Sequence, residues 1–181
     1  SGFYHAFRWT QNTGNVDLGD FPGSLNSSVA WDCSADGSVV VGAGSYDGTF
    51  KNSHGRGFRW TQATGMVDIG SVQAGDDDIE PWACSDDGNI LVGGSGIGGG
   101  RTQAFRWTQA TGMQGLGFGT RAEAISGDGS MVVGSTGPFG NRPFTWTSGA
   151  GLQFLSTIDG TSSGYAFATN NTGNIIAGLS G

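Results

Sequence analysis

The sequence predicts an all-β fold assembled from tandem hairpins, and three observations carry that expectation. Glycine supplies 36 of the 181 residues, about three times its usual share. Only 4 prolines accompany it, and the 20 aromatic residues argue for a packed core rather than a low-complexity coil. Asp-Gly and Thr-Gly pairs fall between short apolar runs, where a tight turn needs residues that tolerate positive φ. Finally, apolar residues alternate: in Phe7-Arg8-Trp9-Thr10, Phe and Trp share one face and Arg and Thr the other, the period of a half-buried strand. No window sets apolar residues at helical spacing between capping residues.

Two blocks alternate along the chain in four copies each. The first runs His5-Ala6-Phe7-Arg8-Trp9-Thr10-Gln11, Gly57-Phe58-Arg59-Trp60-Thr61-Gln62, Ala104-Phe105-Arg106-Trp107-Thr108-Gln109 and Pro143-Phe144-Thr145-Trp146-Thr147. Each copy is followed by a glycine (Gly14, Gly65, Gly112 or Gly151) and an apolar run ending at Leu18, Ile69, Leu116 or Leu155. The second block carries Cys33-Ser34-Ala35-Asp36-Gly37, Cys84-Ser85-Asp86-Asp87-Gly88, Ile125-Ser126-Gly127-Asp128-Gly129 and the degenerate Thr169-Asn170-Asn171-Thr172-Gly173. An apolar run ending in Gly42, Gly93, Gly134 or Gly178 follows each. Every block reads as a hairpin, giving sixteen short strands, with Gly37, Gly88, Gly129 and Gly173 expected at positive φ.

The spacing suggests how the strands close. Trp9, Trp60, Trp107 and Trp146 recur at intervals of 51, 47 and 39 residues. The chain starts with the second hairpin of a repeat and ends with the first, so residues 178–181 would run on into 1–5. That permutation suits a ring whose termini complete one blade; a linear solenoid would want polar capping repeats.

A strand ending in Trp, a turn closing on Thr-Gly, then a strand pair turning at Ser-x-Asp-Gly resembles the WD-repeat order of a β-propeller. The chain is still more similar to the bacterial HAF family, or "probable extracellular repeat", whose motif His5-Ala6-Phe7-Arg8-Trp9-Thr10 carries in full. The motif is departed from at Gly57, Gln103 and Arg142, where His is absent, which argues against His as a ligand in every repeat. The resemblance covers the whole chain. It implies an extracellular or surface-associated bacterial protein of propeller-like fold and carries over no catalytic residue. The expected architecture is one repeat domain over residues 1–181: an all-β, four-bladed β-propeller of about 45 residues per blade. It is permuted within one blade and closed by pairing of the N- and C-terminal hairpins, with 175–177 antiparallel to 7–9 or one strand removed.

Lys and Arg total 8 against 15 Asp and Glu, a net charge of -7. No basic stripe is available for a nucleic-acid backbone. No apolar run approaches the length of a membrane span, and Ser1-Gly2-Phe3-Tyr4 lacks the regions of a signal peptide. Cys33 and Cys84 occupy equivalent places in neighbouring repeats, so their side chains point the same way round the ring. They are expected as two buried free thiols.

The turns within hairpins are short and constant, whereas the connections between them, roughly 19–29, 44–56, 70–81, 94–102, 117–121, 136–142 and 156–165, are long and varied. By strand count they share one face, where binding is expected. Candidate ligand-binding residues there are Tyr46, Asp47, Phe50, Lys51, Asp76, Asp77, Asp78, Phe118, Arg121 and Tyr165, with Phe21 and Asn26 in support. Aromatic faces and amides suit a neutral glycan or surface polymer, and the net charge disfavours polyanions. The run Asp76-Asp77-Asp78-Ile79-Glu80 could hold Ca²⁺ but lacks the alternating spacing of a Ca²⁺ loop, and reads as a solvated loop. His5 and His54 are too few for a His-rich metal site, so no cofactor is expected.

Arg8, Arg59 and Arg106, with Thr145 in the fourth copy, read as structural groups. Asp17 and Asp68 are their expected cross-strand partners, with Gly115 and Phe154 at the matching places. Trp31, Trp82, Glu123 and Phe167 read as inner-strand packing that could stack on a sugar if it reached the mouth of the ring. The expected role is a non-catalytic extracellular or cell-surface binding or adhesion module. A structural subunit of a filament or strand-exchanged assembly is the alternative, and a glycoside hydrolase or lyase comes third, since no pair of carboxylates is set at a defined separation.

Overall fold

The computed structural model describes residues 4–22, 27–45, 55–97, 101–137, 142–158, 160 and 163–181. Among the described residues there are sixteen strands and no helix. They are β1 (Phe7–Thr10), β2 (Gly14–Asp17), β3 (Ser28–Cys33), β4 (Val39–Ser45), β5 (Gly55–Thr61), β6 (Gly65–Asp68), β7 (Asp78–Cys84) and β8 (Ile90–Ile97). There follow β9 (Arg101–Thr108), β10 (Gly112–Phe118), β11 (Thr120–Ile125), β12 (Val132–Thr136), β13 (Arg142–Thr147), β14 (Gly151–Phe154), β15 (Gly164–Thr169) and β16 (Ile176–Ser180). Antiparallel pairing makes three four-stranded meanders, β3–β6, β7–β10 and β11–β14, flanked by the two-stranded sheets β1–β2 and β15–β16.

Each hairpin is held by its own turn chemistry. Between first and second strands, the Ser34 hydroxyl donates to Asp36 Oδ1 (2.8 Å) and accepts the Val39 amide (3.0 Å), while Asp36 accepts the Ser38 amide (2.9 Å). Ser85 with Asp87 and Ser126 with Asp128 repeat the pattern. In the degenerate copy the Asn170 side chain accepts the Asn174 and Ile175 amides instead. The glycines closing these turns have φ of 64–73°, as the sequence requires. Between third and fourth strands, Thr10 with Thr13, Thr61 with Thr64 and Thr108 with Thr111 share a hydroxyl hydrogen bond at 2.6–2.8 Å.

In four of the five sheets the first strand, β3, β7, β11 or β15, carries a β-bulge against the second, at Trp31, Trp82, Glu123 and Phe167. The bulge swings a first-strand carbonyl over the second strand. A Cβ on Gly42, Gly93, Gly134 or Gly178 would overlap the carbonyl oxygen of Val29, Glu80, Arg121 or Tyr165. The glycine that ends each apolar run is therefore a clearance, not a turn.

The core lies between sheets rather than at one centre. Val40 packs with Ala6, Phe21, Phe58 and Trp60 on one side of β4; Val39 and Val41 pack with Ile79, Leu91 and Phe105 on the other. A third cluster joins Val92, Ala122, Val132 and Phe144. Phe58, Phe105 and Phe144 are fully buried, each contributing about 3 kcal/mol of hydrophobic stabilisation.

Backbone hydrogen bonds also lace successive sheets along the rim of Asp-Gly turns. The Ala35 amide donates to the Asp86 carbonyl (2.9 Å), Asp86 to Gly127 (2.9 Å) and Asp128 to Asn171 (3.1 Å).

Two expectations are corrected here. Pairing of the terminal hairpins is not formed among the described residues: β1 pairs only with β2, and β16 only with β15. Neighbouring sheets meet across their width, β11 packing on β7, β8 and β9 and even the outer strands β10 and β14 touching. The recurrent arginines do not pair with Asp17 and Asp68, because the register sets those aspartates opposite Phe7 and Phe58 and places Val16 and Val67 opposite Arg8 and Arg59. Arg8 Nε instead donates to the Gly37 carbonyl (2.6 Å) and Arg59 Nε to the Gly88 carbonyl (2.9 Å), each in the next sheet's turn.

Candidate functional site

Meander order puts the connections between hairpins at one end of every sheet and the Asp-Gly and Thr-Gly turns at the other. Of the residues nominated from sequence, Tyr46, Asp47, Phe50 and Lys51, along with Asn26, lie outside the described residues. Phe21 is buried in the first core cluster and presents no stacking face. Phe118 ends β10 with its ring exposed.

The acidic run is largely drawn into the sheet. The Asp76 carboxylate accepts the Ser95 hydroxyl (2.7 Å) and the Gln73 amide (3.1 Å). Asp77 donates its amide to the Gly96 carbonyl (3.0 Å), and Asp78 opens β7 opposite Gly96. Among the described residues no three His, Cys, Asp or Glu side chains converge on a point where a metal ion could sit.

Arg121 and Tyr165 belong to strands, not to connections. β10 and β11 are separated by one residue, so Arg121 is the second residue of β11, and Tyr165 the second of β15. The first strands β3, β7, β11 and β15 follow one another along the arc. Their registers align Val29, Glu80, Arg121 and Tyr165, followed by the bulged Trp31, Trp82, Glu123 and Phe167.

Side chains of this double row touch along their own strands and, at Arg121 and Trp82, from sheet to sheet. The Arg121 guanidinium lies over the Trp82 ring, 4.3 Å from its centroid, a contact worth about 0.5–2 kcal/mol. Its Nε stands 3.7 Å from Glu123 Oε1. Tyr165 and Phe167 stack with centroids 5.4 Å apart and planes 10° from parallel. Burial pushes the Glu80 carboxyl up, and the Arg121 charge partly offsets it. Trp31 and Phe167 remain 46% and 50% exposed. The row thus offers aromatic faces beside a cation and two carboxylates near the loop end of the first strands. Sequence reasoning nominated Arg121 and Tyr165, but as loop residues, and assigned Trp31, Trp82, Glu123 and Phe167 to packing and Glu80 to the acidic run. The signal that could have found them was the second-strand glycine, which marks the bulge.

A second set of contacts runs along the loop end. The register aligns His5 with Arg56, not Gly57, and with Gln103 and Arg142. His5 Nδ1 bonds Asp17 (2.8 Å) and its Nε2 lies 3.3 Å from Asp20. The Asp17 hydrogen bond, with the charges of both aspartates, holds His5 above its ordinary pKa. Arg56 pairs with Asp68 at 2.5 Å, and Arg142 lies 3.9 Å over the Phe154 ring. One cross-strand position therefore holds an ion pair twice and a cation–π contact once. Both thiols are free: Cys84 is buried, which pushes its pKa up, whereas Cys33 is exposed, contrary to the expectation that both would be buried.

No known family profile matches the sequence, and no curated protein matches it. Solved β-propellers do match the fold. TolB from Acinetobacter baumannii superposes with a TM-score of 0.51 at 15% identity, over 94% of this chain and 47% of that one. A protein described as a TolB from Agrobacterium tumefaciens gives 0.52 at 16% identity, over 77% of this chain and 51% of that one. The chain spans about half the length of the solved chains it matches. Its sheets are blades of the β-propeller type.

Proposed function

We propose that the chain is a non-catalytic binding module of an extracellular or surface-associated protein of the HAF-repeat kind, holding a carbohydrate against the loop end of its first strands. The observation that carries this reading is the double row on β7, β11 and β15. The stacked Tyr165 and Phe167, the Trp82 ring and the Arg121, Glu80 and Glu123 groups combine an apolar face with convergent polar atoms. A sugar ring presents the complementary pattern, an apolar face ringed by hydroxyls. The net charge of -7 favours a neutral ligand over a polyanion. The extracellular setting rests on the resemblance of the repeated Phe-Arg-Trp-Thr strands to that family.

A glycan array followed by affinity retention on the best hit tests the proposal. Phe167→Ala and Arg121→Ala should each lower retention at least tenfold, while Thr13→Ala, in a turn at the opposite end, should leave it unchanged. Retention lost in Thr13→Ala and kept in the other two would place binding at the wrong end. No retained glycan at all would remove carbohydrate as the ligand class.

A further inference from the structure

Among the described residues, β1 pairs only with β2 and β16 only with β15. We infer that a second copy of this chain completes both terminal blades, β15–β16 of one copy docking along β1 of the other. The two half-blades are complementary: β1–β2 are the third and fourth strands of a blade, β15–β16 the first and second.

The chain contains the template for that contact three times. Second and third strands meet as Val40 opposite Trp60 and Gly42 opposite Phe58, as Leu91 opposite Trp107 and Gly93 opposite Phe105, and as Val132 opposite Trp146 and Gly134 opposite Phe144. Trp9 and Phe7 hold these places on β1, and Ile176 and Gly178 hold them on β16. The same register between copies sets Ile176 across from Trp9 and Gly178 across from Phe7.

β1–β2 already sits where a complete blade would hold it. The Ala6 amide donates to the Ser28 hydroxyl at 3.0 Å, as the Ala104 amide does to Thr120 at 3.1 Å. Arg8 reaches the Gly37 carbonyl as Arg59 reaches that of Gly88. Without first and second strands beside it, β1 faces β3 across a cavity of about 580 Å³ lined by Phe7, Trp9, Ala30, Trp31, Cys33 and Val40.

The apolar residues on both sides match as well. Phe7 and Trp9 are 59% and 62% exposed, whereas Phe58 and Trp60 are 0% and 8%. Ile175 and Leu179 are exposed, whereas their counterparts Val39 and Ala43 are buried. An apolar strand with an open edge recruits another strand. The strand with the matching side chains and register is β16, and in one copy it is not paired with β1 among the described residues. Three complete blades from each copy and two shared ones make eight, within the range of propeller rings. The contact repeats across a two-fold axis and so closes.

The experiment uses the full chain in a Cys33→Ser background. Trp9→Cys and Ile176→Cys are made as separate variants, mixed and oxidised. A cross-strand pair lies within disulfide reach, and a bond between two different variants cannot be intramolecular. The expected result is a disulfide-linked heterodimer on mixing, and a native mass for the unmodified chain of twice 18.5 kDa. In the unmodified chain the Cys33 thiol should lose reactivity as concentration rises. Phe7→Lys changes a side chain that is exposed in the single copy, so circular dichroism should be retained while the association weakens at least tenfold. A monomer at every concentration tested, or a bond that forms only within the double variant at monomer mass, would overturn the inference.

Discussion

Gly93 has no room for a methyl group: a Cβ would overlap the Glu80 carbonyl oxygen and press on the Pro81 backbone. Gly65 sits at φ 66° with open space around it. Gly65→Ala should therefore lose about 1 kcal/mol through φ strain. Gly93→Ala should lose about 2–3 kcal/mol, because two backbones must separate and the bulge with them. Thermal melts of both variants check the order; equal losses would remove the clearance account.

The Ser-x-Asp-Gly turns give the fold an acid limit. The Ser38 amide, then the hydroxyls of Ser34 and Ser38, hold the Asp36 carboxyl at about 2, below 3.8. The Ser85 hydroxyl lowers Asp87 and the Ser126 hydroxyl lowers Asp128 in the same way. A carboxyl whose folded value is lowered stabilises the fold above its unfolded value, and that contribution disappears as pH falls through the folded one. Stability should be level above about pH 5 and decline from about pH 4 towards pH 2. Asp36→Asn should be less stable than the parent at pH 7, with the gap closing towards pH 2. A gap independent of pH in urea titrations would show that the carboxylate charge plays no part.

At the scale of the element, each hairpin is self-contained, which is why the strands were legible in the sequence. Thr61→Val should remove the hydroxyl that pairs with Thr64 and accepts its amide. A loss of about 1 kcal/mol is expected, with faster amide exchange confined to β5 and β6. Faster exchange spreading into β9 and β10 would contradict hairpins that hold themselves.

Features that depend on one residue of register were not legible. The aspartates one position away from facing Arg8 and Arg59 took His5 and Arg56 instead, because side chains alternate faces along a strand. The bulges escaped for a similar reason: alternation alone treats Trp82 and Ala83 as ordinary strand positions, and only the glycine opposite records the extra residue. Arg121 and Tyr165 were nominated as loop residues because the connections read longer than they are.

Over the whole molecule, the five-sheet order followed from the repeats, but ring closure did not. Closure depends on the angle between sheets, and that angle is set by side chains filling each interface, a quantity no strand pattern contains. The interfaces also rank the strands. β4 is buried along its whole length and β8 is flanked by β7 and β9, so their amides should exchange slowest by hydrogen–deuterium mass spectrometry. β1 and β16 should exchange fastest in dilute solution and slow down as concentration rises. Concentration-independent exchange at both edges would fit an isolated arc.

The rim of Asp-Gly turns gives the arc the mechanics of a folding fan. From β3–β6 onward, its three sheet-to-sheet links join main-chain atoms at the turn end and act as the pivot, while the loop end of those sheets is joined through side chains such as Arg121 on Trp82. β1–β2 is tied at the loop end instead, where the Ser28 amide donates to the Tyr4 carbonyl. Splaying two blades there separates side-chain contacts but leaves the pivot intact. The opening motion available to the molecule is therefore a rotation about the turn rim, largest at the end where the aromatic row lies. Because the pivot is made of amides and carbonyls, even the degenerate Asn170-Asn171-Thr172-Gly173 turn keeps its place in it. A blade can drift in sequence without loosening its neighbours.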